Sequence, residues 1–334
     1  MSYLCARYAA MITAMFFAMN LAADLAGQTR TVAITIDDLP FVSGDESGTV
    51  RSSDAKWAAS SNQRLLAKLS HEGAPVTGFV IEQHVQYLVG NAGAKILQDW
   101  IQHGFDLGNH TYEHLNFDDL TAEKEEDQII RGESTFAPLM KAAGKKVEFF
   151  RFPYNHTGDT KEKHDAVADF LAQRGYKLAP CTIENSDWMF NSAYFLMRSR
   201  NDEASAARLR EDYLAYTAAE IDYYARVDAQ IFGYEPPEIM LLHDNPLNAE
   251  MMGNILTLFK ERGYRFVSLG QAESDAAYQT PETFITSYGP MWAYRWAKVR
   301  GVKLDGSLEP EPPKWISEYG KAVPPAPRRP RSAP

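Results

Sequence analysis

The sequence predicts an α/β protein built on a parallel sheet, either open or closed into a barrel. Short β-rich runs alternate with longer amphipathic stretches from about residue 30 to residue 270, which is the signature of a parallel sheet covered by helices. The chain has 334 residues, 45% of them hydrophobic, enough for one large domain with extensions. Its 2 cysteines cannot form a disulfide framework, so the fold must depend on its core.

The predicted strands and helices follow from local patterns. Seven runs rich in β-branched and aromatic residues are the strand candidates: TVAITI (31–36), VTGFVI (76–81), FDLGN (105–109), VEFFRF (147–152), YKLAP (176–180), IMLLH (239–243) and RFVSL (265–269). Amphipathic stretches between them predict helices over 54–72, 92–103, 121–143 and 161–174. Thr121 is expected to cap the third of these helices, and Gly144 to end it.

Two segments depart from the alternation. Residues 200–232 predict a long helix, part of a helical excursion over 189–238, and residues 276–321 form a C-terminal extension with Trp292, Tyr294 and Trp296. We expect the aromatic residues of both segments to pack onto the barrel. The alternative is that some of them form platforms that stack on sugar rings.

The two ends of the chain predict export and a disordered tail. Residues 1–26 combine Arg7, an apolar run and several small residues, the layout of a secretory signal peptide. The apolar run is too short to span a bilayer, so we expect a secreted or periplasmic protein with no stable membrane insertion after cleavage. The Pro-rich residues 322–334 are expected to be disordered. The net charge of −10 argues against a nucleic-acid partner.

Ionisable side chains are expected to gather where the predicted strands end. Asp37 and Asp38 follow the first strand, His110 the third, Arg151 the fourth and His243 the sixth; Asp187 comes shortly after the fifth. Parallel α/β folds place their active sites at the carboxyl ends of their strands. These side chains are therefore predicted to share one rim of the sheet.

A metal-assisted hydrolysis would use all of these groups. His110 and His114 are four residues apart, a spacing that would place both imidazoles on one face of a helical turn, and two histidines with one carboxylate are a usual catalytic zinc site. The other aspartate could act as a base, which Arg151 would keep ionised by lowering its pKa. His243, supported by Asp187, could be the general acid. Taken singly, each feature could instead be a surface pair, a loop pair such as Asp118-Asp119, a buried ion pair or a core histidine.

The order and spacing of these groups resemble the polysaccharide deacetylase family, also called the NodB-homology or carbohydrate esterase family 4 enzymes. The family's five motifs, TFDD, H[ST]xxH, RxPY, DxxDW and LxLxH, appear here as TIDD (35–38), HTYEH (110–114), RFPY (151–154), ENSDW (184–188) and IMLLH (239–243). Ile36 and Glu184 are departures from the family pattern. The match spans about residues 31–270, and we expect the barrel domain to occupy residues 29–275.

The resemblance implies a role for each matched position. Asp37 would be the catalytic base and Asp38, His110 and His114 the metal ligands. The other implied roles are an orienting residue for the base (Arg151), a backbone N–H for the oxyanion (Tyr154), a carboxylate that tunes the acid His243 (Asp187), and pocket residues for the acetyl methyl group (Trp188 and Leu241). The implied fold is a distorted (β/α)7-type barrel with a helical excursion and the C-terminal extension.

The function expected from this resemblance is a metal-dependent deacetylase. It would remove N-acetyl or O-acetyl groups from a glycan such as chitin, peptidoglycan or acetylxylan. Zn²⁺ is the expected metal, although Co²⁺ and Ni²⁺ would also suit the ligands. Two alternatives remain: a non-catalytic carbohydrate-binding or cell-wall protein on the same barrel, and a hydrolase of small cyclic amides.

Overall fold

The computed structural model describes residues 29–44 and 50–319, which form a curled parallel sheet surrounded by helices. The fold is α/β and has the form of a distorted (β/α) barrel, which confirms the predicted fold class. The predicted signal peptide (1–26) and Pro-rich tail (322–334) lie outside the described residues. Within those residues, no helix combines the length and the apolar character needed to cross a bilayer.

All seven predicted strands are present in the sheet, several of them shorter than expected. They are β1 (Thr31–Leu39), β2 (Val76–Val80), β3 (Asp106–Asn109), β4 (Phe149–Phe150), β5 (Lys177–Leu178), β6 (Glu238–His243) and β7 (Arg265–Phe266). Their order is β5-β4-β3-β2-β1-β6, with β7 paired to the start of β1. The segment after β5 reaches β6, because Ile183 forms a parallel bridge with Met240. This bridge brings the two edges of the curled sheet together.

Strand β1 lies at the centre of the sheet and positions the paired aspartates. It pairs with β2 on one side and β6 on the other, and all its residues after Thr31 are buried, as expected for a strand covered on both faces. The pairing with β2 is irregular between Ile36 and Leu39, and Asp38 there has φ 65°. This irregularity turns Asp37 and Asp38 towards different neighbours. Asp37 lies opposite His243 in the register with β6.

Helices cover the sheet close to where the sequence predicts them. They are α1 (Ala55–Glu72), α2 (Glu82–Tyr87), α3 (Ala92–Gln102), α4 (Ala122–Gly132), α5 (Phe136–Ala142), α6 (Lys161–Arg174), α7 (Asp187–Ser199), α8 (Glu203–Phe232), α9 (Pro246–Glu261), α10 (Leu269–Ala272), α11 (Trp292–Arg300) and α12 (Lys314–Tyr319). Thr121 caps α4 as predicted, by accepting a hydrogen bond from the backbone N–H of Lys124.

The predicted single helix over 121–143 is wrong, because it is divided into α4 and α5. The buried carboxylate of Glu82 lies at the division and accepts hydrogen bonds from the backbone N–H (3.0 Å) and the hydroxyl (2.6 Å) of Thr135. A backbone N–H bound to a distant carboxylate is not available to continue the first helix. Glu82 therefore starts α5 as a separate helix.

The excursion and the C-terminal extension pack against each other. Trp296 on α11 contacts Phe232 at the end of α8, with ring centroids 5.0 Å apart, and Tyr278 at 5.2 Å. Trp292 and Trp296 are both buried. These two tryptophans are therefore packing residues, and they are not available as platforms for a ligand.

Two carboxyl groups are buried together at the amino end of β6. Asp228 on α8 and Glu238 are fully buried neighbours, and the Thr182 hydroxyl hydrogen-bonds to Glu238. Burial is the main cause that raises the pKa of both carboxyl groups above the ordinary range, and the nearby Glu235 carboxylate raises both further. The folded chain therefore retains a proton here at a pH where the unfolded chain has lost it.

This pair should make the protein less stable as pH rises. Because the pKa of Glu238 is higher in the folded chain than its ordinary value of 4.5, the free energy of unfolding falls as pH rises from that value through the raised pKa. Denaturant unfolding should show lower stability at pH 9 than at pH 6, and Glu238→Gln should make this difference smaller. Glu261→Gln, at an exposed helix end, is the control. An equal pH dependence in Glu238→Gln and the wild type would contradict the assignment.

Candidate active site

The strand ends bring the predicted site residues to one cavity of about 1150 Å³. Eight of the ten line it directly: Asp37, Asp38, His110, His114, Tyr154, Trp188, Leu241 and His243. The other two, Arg151 and Asp187, are each 1% exposed and lie behind the residues that they contact. The sequence therefore predicts which residues meet, although their separations along the chain reach 206 positions.

Three of these residues form a compact group of possible metal ligands. Each residue offers one ligand atom, and the three atoms lie within 4.8 Å of one another; the residues are Asp38, His110 and His114. The Asp38 Oδ1 atom is 3.6 Å from Nε2 of His110 and 3.5 Å from Nε2 of His114. Two imidazole nitrogens and one carboxylate oxygen can hold one divalent cation and leave positions open for water and substrate.

The two histidines do not lie on a helical turn, so that prediction is wrong. Residues 110–116 form a loop, in which Thr111 has φ 69° and His114 has φ 57°. Side chains hold the loop: Asn109 Oδ1 accepts from the backbone N–H of Thr111 (2.9 Å), and Thr111 Oγ1 accepts from that of His114 (3.1 Å). Such bonds replace the backbone bonds of a helix. The loop still brings the two imidazoles together, with ring centroids 4.8 Å apart.

The protonation of the two histidines suits a cation. The Nδ1 atom of His110 lies 2.7 Å from the Arg151 carbonyl, which can only accept, so Nδ1 is the donor and Nε2 has a free lone pair towards Asp38. Burial lowers the pKa of His110 well below its usual range and that of His114 to about 4, so both rings are neutral near pH 7. Among the described residues, none donates a hydrogen bond to the buried Oδ1 of Asp38. The residues therefore fit a divalent metal ion.

Asp37 binds the buried guanidinium of Arg151. Nη1 of Arg151 donates to Asp37 Oδ1 (2.7 Å) and to the hydroxyl of Thr35 (2.8 Å), while Nη2 donates to the Pro180 carbonyl (2.9 Å). The other carboxylate oxygen, Oδ2, is 3.8 Å from Nε2 of His110. Asp37 is thus held on one side and directed towards the metal ligands on the other.

The expected lowering of the Asp37 pKa is wrong in its net direction. Burial raises the pKa of Asp37, and the charge of Arg151 offsets only part of that effect. Arg151 therefore acts mainly by fixing the carboxylate in place. A base whose pKa is raised accepts a proton more readily than an ordinary aspartate does.

Asp187 holds His243 through two hydrogen bonds. Its Oδ1 atom is 2.6 Å from Nδ1 of His243, and its Oδ2 atom accepts from the backbone N–H of the same residue (2.7 Å). Asn245 and Asn248 also donate to Oδ2. Burial lowers the pKa of His243, but the charge and hydrogen bond of Asp187, with Asp38 and Asp37, outweigh burial and raise it to about 10. His243 is therefore protonated at neutral pH.

The remaining predicted residues line the same cavity as the metal-ligand group. Tyr154 has φ 57°, and its ring is in edge contact with His114, with centroids 4.7 Å apart. Leu241 is 6% exposed and Trp188 56% exposed, so one forms an inner surface of the cavity and the other an outer one.

Sequence reasoning missed several residues that support the site. Thr35 lies in the quoted TIDD motif and links Arg151 to the Met240 carbonyl (2.7 Å), but a threonine in a strand gives no signal of such a role. Asn248 donates to Asp187. The only sequence signal near it is Asn245, which caps the helix three positions earlier. The cavity also includes residues of the extension, among them Tyr288 and Glu309, which no motif covers.

Comparison with known proteins finds a family model that matches part of the chain. Residues 25–178 match the family model described as polysaccharide deacetylase, which confirms the resemblance seen in the sequence. The matched range includes Asp37, Asp38, His110, His114, Arg151 and Tyr154 and ends before Asp187 and His243. A search of curated proteins found no match.

Three solved structures of deacetylase-related proteins are similar to this chain at low identity. A carbohydrate esterase family 4 pseudoenzyme from Bacillus anthracis has 17% identity and a TM-score of 0.48, with 73% of this chain and 66% of that chain covered. The peptidoglycan deacetylase PdaC from Bacillus subtilis has 18% identity and a TM-score of 0.47, with coverage of 74% and 91%. The carbohydrate esterase family 4 domain of a xylanase from the hindgut metagenome of Trinervitermes trinervoides has 18% identity and a TM-score of 0.46, with coverage of 79% and 97%.

The charge of Asp187 should control the protonation of His243. In Asp187→Asn the carboxylate is lost, and we expect the pKa of His243 to fall from about 10 towards its ordinary value of 6.5. NMR titration of the histidine ring resonances in the metal-free protein measures this change. The exposed His71 in the same spectra is the internal control. An unchanged His243 titration would show that Asp187 is not the main source of its raised pKa.

Proposed function

We propose that the protein is a metal-dependent deacetylase that hydrolyses N-acetyl or O-acetyl groups of a polysaccharide such as chitin, peptidoglycan or acetylxylan. One observation carries the proposal: a single cavity contains the Asp38–His110–His114 group, a carboxylate bound to a buried arginine, and a histidine bound to a buried carboxylate. A pure carbohydrate-binding protein has no need of both a held base and a held acid.

In this proposal, Asp37 and the metal ligands activate the attacking water. Zn²⁺ or a similar divalent ion, held by Asp38, His110 and His114, would supply Lewis-acid chemistry when bound. Asp37 accepts the proton of the attacking water, and Arg151 keeps the Asp37 carboxylate in position throughout. The burial of both groups excludes bulk solvent, which would weaken this interaction.

His243 and Tyr154 would complete the reaction from the other sides of the cavity. His243 is protonated and faces the cavity, so it can donate a proton to the departing nitrogen or oxygen of the sugar. The backbone N–H of Tyr154 would stabilise negative charge on the acetyl oxygen. Leu241 and Trp188 would surround the acetyl methyl group.

We also propose the cellular context and the domain boundaries on sequence grounds. Residues 1–26 would direct secretion or export to the periplasm, where acetylated glycans occur. Residues 29–275 would be the barrel domain and residues 276–321 its extension.

Substitution of the two adjacent aspartates should separate metal binding from chemistry. Asp38→Asn should weaken zinc binding by at least about tenfold, because it removes an anionic ligand. Asp37→Asn should retain one zinc ion per chain and lower kcat by roughly 10² to 10⁴-fold, because it removes the base. Zinc content by elemental analysis and acetate release measure the two effects. Asp119→Asn, at an exposed position, is the control. Equal loss of zinc in both variants would contradict the assigned roles.

Acetate release should depend on a metal ion. We expect the protein to release acetate from at least one of chitooligosaccharide, peptidoglycan and acetylxylan, to lose this activity with a chelator, and to regain it with added Zn²⁺. If no substrate releases acetate in a metal-dependent way while Asp37→Asn binds glycan as the wild type does, the protein is a binding protein instead.

A further inference from the structure

The C-terminal extension forms one wall of the cavity that contains the site. Phe284, Tyr288 to Met291, and Tyr294 line it, followed by Gly306 and Glu309. The wall contacts the loop of Tyr154 closely: a Cβ atom at Gly289 would lie 1.8 Å from the Tyr154 carbonyl oxygen. The extension is thus part of the space that a substrate must enter.

A buried arginine fixes this wall in place. Arg295 is 1% exposed and donates to the carbonyls of Asn155 (2.6 Å) and Pro290 (2.9 Å), to the hydroxyl of Thr157 (2.9 Å) and to Glu282 (3.1 Å). It therefore joins the extension to the loop after Tyr154 at several points. A wall held in this way can present a side chain in a constant position.

The exposed aromatic side chains are concentrated in this cavity. Among the described residues, the five large aromatic side chains that are exposed are Trp57, Tyr87, Tyr154, Trp188 and Tyr288, at 37 to 60%. All of them except Trp57 line the cavity. Aromatic rings that remain exposed around a cavity can stack on the apolar faces of sugar rings. Tyr288, the most exposed of them at 60%, belongs to the extension.

The charged side chains around the cavity are predominantly acidic. Five carboxyl groups line it, those of Asp37, Asp38, Glu113, Glu184 and Glu309, against one protonated side chain, His243, and no lysine or arginine of the described chain lines it. Glu309 is fixed at its place in the extension, since its Oε2 atom accepts a hydrogen bond from Tyr294 (2.6 Å). Burial, with Asp187 and Glu309 among the charges around it, raises the pKa of Glu184 to about 7. A cationic ligand would relieve this crowding of carboxylates, and an anionic one would increase it.

We propose that the extension makes a sugar-binding subsite, in which Tyr288 stacks on a ring next to the acetylated one, and that the cavity accepts uncharged or amine-bearing sugars and rejects carboxylated ones. This proposal rests on the proposed function only for the identity of the acetylated ring. It assigns the substrate to the class of glycans whose sugars are uncharged or carry amines, and not carboxylates.

Titration calorimetry with the full-length, zinc-loaded protein tests the subsite without any turnover. The probes are a glucosamine tetrasaccharide, which is cationic and has no acetyl group, and a galacturonic acid tetrasaccharide, which is anionic. We expect the first to bind and the second not to bind at the same concentrations. Tyr288→Ala should weaken binding of the first about tenfold, whereas Tyr288→Phe, which keeps the ring, should stay within about twofold. Equal binding of the two probes, or unchanged binding in Tyr288→Ala, would overturn the proposal.

A pair of charge variants tests the contribution of the extension's carboxylate. Glu309→Gln should weaken binding of the glucosamine probe several-fold, and Glu311→Gln, two positions away and exposed, should not. Glu184→Gln should give the same loss if Glu309→Gln proves unstable. An equal effect of Glu309→Gln and Glu311→Gln would contradict a local role.

Two further measurements distinguish this subsite from binding of the amine to the metal, and from the proposed deacetylase function. The glucosamine titration is repeated after removal of zinc with a chelator; if binding vanishes, the amine binds the metal and the subsite is wrong. Acetate release from acetylated substrates is measured on the same preparation. Glucosamine binding without any acetate release would reject the proposed deacetylase function and support the subsite. Acetate release without glucosamine binding would reject the subsite and support the deacetylase function.

Discussion

The buried guanidinium of Arg151 is the interaction on which the rest of the site depends. It follows β4 and donates to Asp37 and Thr35 on β1, and to the carbonyls of Ala179 and Pro180 beyond β5. Its own carbonyl accepts from His110, beside β3, and its charge lies 4.4 Å from the ring centroid of Phe79 on β2. One residue, whose side chain cannot lose its proton, thus connects the ends of five strands through its guanidinium and its carbonyl. Replacing it would leave a buried carboxylate without its counter-charge, which costs several kcal/mol in other proteins, about 3 to 5.

Backbone strain is concentrated around the same rim. In the described part of the chain, eight residues other than glycine have positive φ, and six of them belong to the site loops: Asp38, Thr111, His114, Tyr154, Asn155 and Ser186. A left-handed conformation at a β-branched residue such as Thr111 is rare and costs about 1 to 3 kcal/mol. The hydrogen bonds of Arg151, Asn109 and Asp187 offset this cost. The fold thus uses stability gained in its core to hold polar side chains in positions that the backbone alone would not favour.

The sequence predicted the fold class and the members of the site because both are encoded by simple patterns. Buried parallel strands are short apolar runs, and their carboxyl ends are where Asp37, His110, Arg151 and His243 lie. Loop geometry was less predictable. A four-residue histidine spacing suggested a helical turn, but hydrogen bonds from Asn109 and Thr111 form a different loop. The division of the 121–143 helix depends on Glu82, about 50 positions away, which no local pattern reveals.

Local sequence patterns also could not predict the pKa of Asp37 or the positions of the aromatic side chains in the extension. A guanidinium beside a carboxylate suggests a lowered pKa, yet the depth of burial of Asp37 reverses the net direction, and burial cannot be read from neighbours in sequence. Aromatic residues in the extension suggested either packing or sugar contacts. The structure divides them: Trp292 and Trp296 are buried against the helices, while Tyr288 remains exposed on the cavity.

The four hydrogen bonds of Arg295 also bear on how such a cavity can change during evolution. The acceptors at Asn155 and Thr157 belong to the barrel, and those at Pro290 and Glu282 to the extension. A recombination joint near residue 275 that brought in a foreign C-terminal segment would leave the barrel acceptors buried without a donor, unless the new segment supplied its own cation at that point. Exchange of the extension as a whole would therefore carry an energetic cost at this joint. Point substitutions on the wall leave the four hydrogen bonds of Arg295 in place, so they can reshape the cavity without that cost.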